Sequence, residues 1–130
     1  MRLFDGVDRL RGSLDYHLAR HNLLASNMSQ VDTPGFRPVD LRRTTFDEAM
    51  ANVVATTDPR HLGGAQTAEA SRWSVEIDRD VQTGLDGNGV DLEKEAVKIA
   101  SNQIRYDVLA SLTTEALGQL AWAAADGRGG

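Results

Sequence analysis

The sequence contains no cysteine, which excludes disulfide bonds, thiol catalysis and thiolate metal sites together. Aromatic residues make up only 5% of the 130 residues, and much of the 41% hydrophobic fraction is alanine, which buries little area per residue. A chain of this length and composition is sufficient for one domain with one modest core.

The sequence also lacks any run of about 18 consecutive apolar residues, the length that a membrane-spanning helix needs. Residues 1–6 contain no apolar h-region and no small-residue cleavage site, so a cleaved secretory peptide is not expected. The net charge of -5 and the isoelectric point near 5.1 disfavour a surface that binds nucleic acid. We therefore expect neither a membrane span nor a nucleic-acid partner.

Apolar residues at helical spacing dominate the N-terminal part of the chain. From Leu3 to Val31 they recur in steps of four and three, an a/d heptad pattern in which His17 and His21 occupy the two middle positions. This spacing predicts a helix of roughly 25 residues with Leu18 widening its apolar stripe. A core helix of a compact bundle is the alternative, but the scarcity of aromatics favours a coiled-coil-like partner. The seam of this helix comprises Val7, Leu10, Leu14, Leu24 and Met28.

The helical pattern stops abruptly at Thr33-Pro34-Gly35. Pro34 disfavours the helical region for Thr33, and Gly35 can take the positive φ that a turn needs. We therefore predict that the helix ends in a fixed exit turn, with Phe36 folded back as an apolar anchor.

Residues 37–90 are predicted to be irregular, with two regular pieces and a flexible loop between them. The sequence of residues 45–48, Thr-Phe-Asp-Glu, is typical of a capping box and predicts a short helix after it. Trp73, Val75 and Ile77 alternate with polar residues, which predicts a strand with one apolar face. We expect a second strand or a return of the chain to pair with it, because a single strand is not stable alone.

A second long helical pattern fills residues 91–125, after a tight turn at residues 86–89. Asp91 is the predicted N-cap, and Glu93 and Glu95 place negative charge in the first turn, where the helix dipole favours it. Two apolar stripes, predicted to be adjacent, follow this helix, so it is built to contact more than one neighbour. The first runs through Leu92, Ala96, Ile99, Gln103, Tyr106, Ala110, Thr113, Leu117, Leu120 and Ala124, and the second through Val97, Ala100, Ile104, Val108 and Leu112. The tail, residues 126–130, is predicted to be disordered.

Candidate groups for catalysis or metal binding are few. His17 and His21 are four residues apart and could share a helix face, but no third ligand follows at a matching spacing. We interpret both histidines as polar seam residues that set the register of the helix. The chain contains no nucleophile elbow and no phosphate loop. We predict no enzyme activity, no catalytic residue, no metal or other cofactor, and no small-molecule substrate.

Two long helices carry more apolar surface than so short a chain can cover by itself. Large uncovered apolar patches mark interaction surfaces, and a heterologous contact that does not close into a ring generates a helical filament. The patterns therefore favour a structural protein that assembles through its seams. The alternative from another class is a small soluble helical adaptor or regulator that binds one partner helix in the cytoplasm.

Two strings of residues also resemble a known protein family. The first string, in the segment after the N-terminal helix, consists of Asn27, Val31, Asp32, Thr33, Pro34, Gly35 and Phe36. It resembles the N-terminal signature of bacterial flagellar rod and hook proteins, with Phe36 in place of Tyr. The second string resembles the C-terminal signature of the proximal rod proteins of this family; it comprises Asp-Gly-Asn and Val-Asp-Leu-Glu-Lys-Glu within residues 86–95 and Asn-Gln-Ile-Arg-Tyr at residues 102–106, with Ala96 where Met is usual.

The patterns and the resemblance agree on a mainly α fold. Long N- and C-terminal helices would pair as a coiled-coil-like unit, with a short middle helix, a small β element and a flexible loop between them. The corresponding segments are residues 1–36, 37–90 and 91–125, followed by the tail.

The resemblance further implies a structural subunit of the proximal rod in the flagellar basal body. Such a subunit assembles with copies of itself and with other rod proteins, and contacts basal-body ring or adaptor proteins. The flagellar type III apparatus exports it without a cleaved signal peptide.

Overall fold

The computed structural model describes residues 5–44 and 73–125. Along the chain these form helix α1 (Asp5–Ser29), strand β1 (Val39–Arg43), strand β2 (Trp73–Ile77) and helix α2 (Leu92–Ala124). The predicted pair of long terminal helices, with a small β element between them, is confirmed. The predicted short middle helix, the flexible loop and the disordered tail lie outside the described residues.

The two helices pack against each other and run antiparallel. Near the end of α1, Asn27 bonds to Glu95 near the start of α2, while His17 in the middle of α1 bonds to Asn102 further along α2. Because α2 has 33 residues and α1 has 25, the last turns of α2 extend beyond Asp5, the first described residue of α1. Within the described ranges, neither helix is long and apolar enough to cross a membrane.

The apolar spacing of α1 translates directly into burial. Leu24 is completely buried, and the other residues predicted on its seam are buried or half-buried. Leu18, predicted to widen the stripe, is 50% exposed. One side of α1 is therefore buried or half-buried from Val7 to Met28.

The face of α2 that packs on α1 is displaced by one residue from the prediction at several positions. Asn102 is buried where Gln103 was predicted, and Gln103 is exposed. Leu92 and Leu117, also predicted on this stripe, are 46% and 48% exposed. The displacement arises because α1 supplies hydrogen-bond partners for buried polar residues, which an apolar pattern does not reveal. The inner face, as we call it, comprises Glu95, Ile99, Asn102, Tyr106, Leu109 and Thr113, all buried or half-buried.

The strands form a two-stranded antiparallel sheet, in which Val39 lies opposite Ile77 and Arg43 opposite Trp73. The strand predicted at residues 73–77 and its pairing with a second strand are therefore confirmed. Its apolar residues are not buried, however, since Val75 and Ile77 are 58% and 54% exposed.

Tyr16 of α1 holds the sheet against the helix. Its hydroxyl donates a hydrogen bond of 2.8 Å to the backbone oxygen of Leu41, which is 7% exposed. The Tyr16 ring lies 5.7 Å from that of Trp73, and the guanidinium carbon of Arg43 lies 4.6 Å from the centre of the Tyr16 ring. These contacts place the sheet beside α1.

Candidate assembly surface

The exit turn after α1 and the turn before α2 pack directly against each other. Gly35 has the positive φ predicted for it, 74°, and Gly87 has a φ of 77°. A Cβ atom at Gly87 would lie 3.4 Å from the Cα of Gly35. Backbone hydrogen bonds join the turns, from Gly35 to the oxygen of Asp86 at 3.0 Å and from Gly89 to the oxygen of Phe36 at 2.9 Å. Both turns therefore need glycine, which alone adopts positive φ readily.

Asn88 ties the end of α1 to the segment that leads into α2. Its Nδ2 lies 2.9, 2.7 and 2.8 Å from the backbone oxygens of Gln30, Val31 and Thr33, and its Oδ1 accepts from the backbone nitrogen of Val90 at 2.7 Å. An amide carries two N–H groups, so one of them is shared between two of the oxygens. These oxygens belong to the turn that follows α1, where those of Gln30 and Thr33 also accept backbone hydrogen bonds. The Asn88 side chain therefore holds this turn from a distant part of the chain.

Beneath the turns, Asn27 joins three elements at one point. It is 1% exposed and makes hydrogen bonds with both backbone groups of Val39, at 2.7 and 3.1 Å, and with Oε2 of Glu95 at 3.0 Å. The other carboxylate oxygen of Glu95 accepts from Nζ of Lys98 at 2.8 Å, and this ammonium group also donates to Asp78 at 2.5 Å. The carboxylate of Glu95, only 2% exposed, is thus fully engaged on both oxygens.

Two ion pairs hold the sheet to the helices, one from each helix. Arg20 donates to both carboxylate oxygens of Asp40 at 2.7 Å. Burial raises the pKa of Asp40, but hydrogen bonds from Arg20 and from the Leu41 backbone outweigh it and bring the pKa below its ordinary value. The hydrogen bond from Lys98 likewise lowers the pKa of Asp78. Both carboxylates are therefore held in the charged form.

A polar pair, His17 and Asn102, lies at the centre of the contact between the helices. Nδ1 of His17 lies 2.7 Å from Oδ1 of Asn102, whose Nδ2 donates to the His17 backbone oxygen at 2.8 Å. Because this Oδ1 only accepts, Nδ1 of His17 carries the proton. Nδ1 of His21 is buried and has no hydrogen-bond partner in the structure. Over the described residues, no group of three or more His, Asp or Glu side chains is arranged to hold a metal ion.

A second apolar row runs along α2 on the side away from α1. Val97, Ile104, Val108 and Leu112 are 69%, 66%, 54% and 46% exposed. With about 100° of rotation per residue, Val97, Ile104 and Val108 lie about 120–160° around the helix from Asn102. The sequence predicted two adjacent stripes, but the helix geometry places this row, which we call the outer stripe, on the side of α2 away from the inner face. Exposed apolar rows of this kind mark interaction surfaces.

Asp91 lies at the N-cap of α2, where the sequence predicted it. Its Oδ1 accepts hydrogen bonds from the backbone nitrogens of Glu93 at 3.0 Å and Lys94 at 3.2 Å. The side chain thus satisfies N–H groups that the first turn of a helix leaves without partners.

Most side chains of the exit turn are exposed, and Phe36 is less buried than the predicted anchor. Asp32, Thr33 and Pro34 are exposed, and Val31 and Phe36 are half-buried. The turn is held mainly through its backbone, because the partners of Phe36 and Gly35 in the second turn are backbone groups. Phe36 is therefore a partial apolar contact and not a buried anchor.

Several known proteins are similar to this chain over most of its length. Flagellar basal body rod protein FlgB of Bacillus subtilis is 29% identical over 112 residues, which cover 84% of this chain and 85% of that protein. The protein of the same name from Cereibacter sphaeroides is 32% identical over 95 residues, 72% of this chain and 73% of that protein. The chain belongs to the FlgB family. FlgB of Salmonella typhimurium is 27% identical over 104 residues, 74% of this chain and 75% of that protein, whereas no protein-family model matches.

Membership of the FlgB family confirms the resemblance to flagellar rod proteins that two separate strings of residues indicated. In this FlgB-family chain the two strings meet in space, since the turns at residues 33–36 and 86–89 are hydrogen-bonded to each other. The residues that carry the resemblance therefore include those that fix how the ends of the two helices are joined.

Proposed function

We propose that this FlgB-family chain is a structural subunit of the proximal rod of the flagellar basal body, and that the outer stripe of α2 packs against other rod subunits. The observation that carries the proposal is the exposure of this stripe, which reaches 69% at Val97. A helix with a single packed face has a polar opposite face. The apolar opposite face of α2 favours a second partner, which the described part of the chain does not supply.

The last turns of α2 extend the proposed surface. Leu117 and Trp122 in these turns are 48% and 60% exposed. In the proposed rod, copies of this chain and other rod proteins cover these residues together with the outer stripe. The exposed Leu18 of α1 and Leu92 of α2 belong to the same proposed set of contacts.

Further proposed partners are the basal-body ring or adaptor proteins and the flagellar type III export apparatus. The support for them is membership of the FlgB family together with the rod position proposed above. Export of the chain without cleavage is tested by measuring its intact mass in purified, detergent-resistant basal bodies. We expect the mass of the unprocessed sequence, with loss of at most Met1. A chain found only in the cytosol of flagellated cells would contradict the rod position.

The outer stripe is tested by Ile104→Asp, expressed in cells that lack their own copy of the protein. A carboxylate buried without a partner in a subunit contact costs several kcal/mol, enough to abolish assembly. Because Ile104 is 66% exposed, the variant should keep its helical circular dichroism while swimming and incorporation into basal bodies are lost.

Thr114→Asp is the matched control, since Thr114 is an exposed residue of α2 that lies about 100° away from the midline of the outer stripe. Cells with this variant are expected to swim. Normal swimming of cells with Ile104→Asp would overturn the proposed role of the stripe.

A further inference from the structure

One dipeptide of the chain, Asn88-Gly89, is chemically reactive. The chain has five asparagines, and Asn88 is the one that glycine follows. A backbone nitrogen can attack the side-chain carbonyl carbon of the asparagine before it, and glycine permits this most readily because it has no Cβ atom and the freest backbone. The other asparagines precede leucine, methionine, valine or glutamine, whose side chains hinder the attack. Asn88 is therefore the asparagine at which the unfolded chain loses its amide group first.

The contact between the two turns requires both residues of this dipeptide. Asn88 must carry an amide, because its Nδ2 donates to backbone oxygens of the exit turn while its Oδ1 accepts from Val90. Gly89 must lack a side chain, because a Cβ atom there would collide with Cγ1 of Val81 and lie 3.1 Å from Cδ of Pro38. The fold therefore imposes the reactive dipeptide on the sequence.

The folded structure restrains both groups that would react. The backbone N–H of Gly89, which must lose its proton in the attack, donates to the oxygen of Phe36 at 2.9 Å. The side chain of Asn88 is held at both its nitrogen and its oxygen, so it cannot rotate freely to bring its carbonyl carbon against that nitrogen. Asn88 is 8% exposed and Gly89 is buried, so little water reaches the site.

We propose that Asn88 is a site of spontaneous deamidation that is open in the unfolded chain and closed by folding. In the unfolded chain the nitrogen of Gly89 attacks Cγ of Asn88. The new C–N bond closes a succinimide ring, and Nδ2 leaves as ammonia with the proton from the Gly89 nitrogen. Water then opens the ring. Cleavage at the side-chain carbonyl gives aspartate, and cleavage at the backbone carbonyl gives isoaspartate, in which the chain continues through the side chain. Water is the only other reactant, and this chemistry does not depend on the rod position proposed above.

Neither product fits the contact between the turns. In aspartate an oxygen replaces the Nδ2 donor, so a negative group faces three backbone oxygens of the exit turn, which lie 2.7–2.9 Å from Nδ2 and can only accept. Isoaspartate adds a methylene carbon to the backbone between Gly87 and Gly89, which displaces the Gly89 N–H from the oxygen of Phe36. A chain that stays unfolded for long is therefore converted into a form that no longer joins its two turns.

Ageing of the purified chain in native buffer and in guanidinium chloride tests the site. Peptide mass mapping after equal times at mildly alkaline pH measures, for each asparagine, the fraction whose amide has become an acid. In denaturant we expect conversion at Asn88 well ahead of Asn22, Asn27 and Asn102. In native buffer conversion at Asn88 should be at least about tenfold slower, since tenfold protection needs only about 1.4 kcal/mol to open the contact between the turns. Equal rates at Asn88 in the two buffers, or faster conversion at another asparagine in denaturant, would overturn the inference.

Gly89→Ala separates the chemistry from the fold. In guanidinium chloride no folded contact is left to disturb, so the added Cβ atom acts only on the attacking nitrogen. We expect conversion at Asn88 to slow several-fold in this variant. Conversion at the rate of the parent would show that Gly89 does not make Asn88 reactive, and the site would be lost.

Asn88→Asp supplies one of the two products directly and tests its effect on the fold. Its unfolding midpoint in urea should lie well below that of Asn22→Asp, the same change at an exposed position of α1. Loss of the folded state altogether would be the stronger form of the same result. Equal midpoints for the two variants would show that aspartate fits the contact between the turns, which contradicts the inference.

Discussion

Replacement of Asn27 by Ala is expected to lower the free energy of unfolding by about 3–5 kcal/mol. The side chain makes two hydrogen bonds with the backbone of Val39 and one with the carboxylate of Glu95. A neutral hydrogen bond contributes about 1 kcal/mol net, and one to a charged group about 1.5–3 kcal/mol. Because Asn27 is 1% exposed, water does not readily replace the lost partner. The loss is a large part of the roughly 5–15 kcal/mol that stabilises an ordinary domain.

Asn27→Asp tests the same contacts with almost no change in shape. It keeps an oxygen that accepts from Val39 but places a second carboxylate next to Glu95, where the two groups are 3.0 Å apart in the parent. Two like charges at about 4 Å repel by about 4 kcal/mol at an effective dielectric constant of 20. The Asp variant should therefore be less stable than the Ala variant at neutral pH.

Urea unfolding of the purified chain, followed by helical circular dichroism, measures both effects. Asn22→Ala is the matched control, because Asn22 is an exposed asparagine of the same helix and its change should stay within about 0.5 kcal/mol. An Asn27→Ala variant within about 1 kcal/mol of the parent would refute the reasoning, since the three buried hydrogen bonds would then contribute less than one ordinary bond. An Asp variant more stable than the Ala variant at neutral pH would refute the electrostatic part.

Urea unfolding also checks three further expectations. Asn88→Ala should cost about 2–3 kcal/mol, because it removes the hydrogen bonds to three backbone oxygens of the exit turn, and no loss would contradict its role in holding that turn. Gly87→Ala should cost about 1–2 kcal/mol at its positive φ, whereas Gly118→Ala within α2, where a Cβ meets nothing within 4 Å, should be neutral or stabilising. Asp40→Asn should destabilise the fold at neutral pH and make the free energy of unfolding less dependent on pH in the acid range. The lowered pKa of Asp40 contributes stability that is present above the ordinary aspartate pKa of about 4 and is lost as the pH falls below that value. An acid transition identical to that of the parent would count against the ion pair with Arg20.

The apolar spacing of α1 predicted its packed side because helix geometry alone fixes which residues share a face. Val7, Leu10 and Leu14 are half-buried and Leu24 is buried, in line with the steps of three and four. Positive φ at Gly35 also followed from local chemistry. The sequence contains no comparable signal for the contact between Gly35 and Gly87, because two turns far apart in the chain meet only once both helices are in place.

The inner face of α2 was predicted less well because polar residues occupy it. Glu95 was interpreted as a favourable charge in the first turn, and Asn102 received no role, yet they are 2% and 1% exposed. Burial of such groups requires partners from another element, here Asn27 and His17, and the pattern of one helix does not contain them. One usable signal was present, since Glu95 and Asn102 are seven residues apart, the heptad spacing of residues on one face.

The sheet shows the opposite error. Alternation predicted β2 and its apolar face correctly, but it did not indicate that Val75 and Ile77 on that face are exposed. Two side chains of α1 hold the sheet: Arg20 forms an ion pair with Asp40 of β1, and the Tyr16 hydroxyl donates to the backbone oxygen of Leu41. Alternation identifies the two faces of a strand, but the partners available on neighbouring elements decide which face is covered.

The polar inner face and the apolar outer stripe of α2 together explain why only one side of this helix packs on α1, so that the other side is left for the proposed second partner. If the inner face were wholly apolar, either side of α2 could pack on α1, and a half-turn rotation would exchange them at little cost. Burying the outer stripe against α1 would leave the side chains of His17 and Asn27 without the hydrogen bonds that Asn102 and Glu95 now supply. Each unsatisfied buried group costs about 1–3 kcal/mol, so the rotated arrangement is disfavoured. Directional hydrogen bonds thus fix the fold of the subunit and leave the less directional apolar surface exposed, as the proposed assembly contact requires.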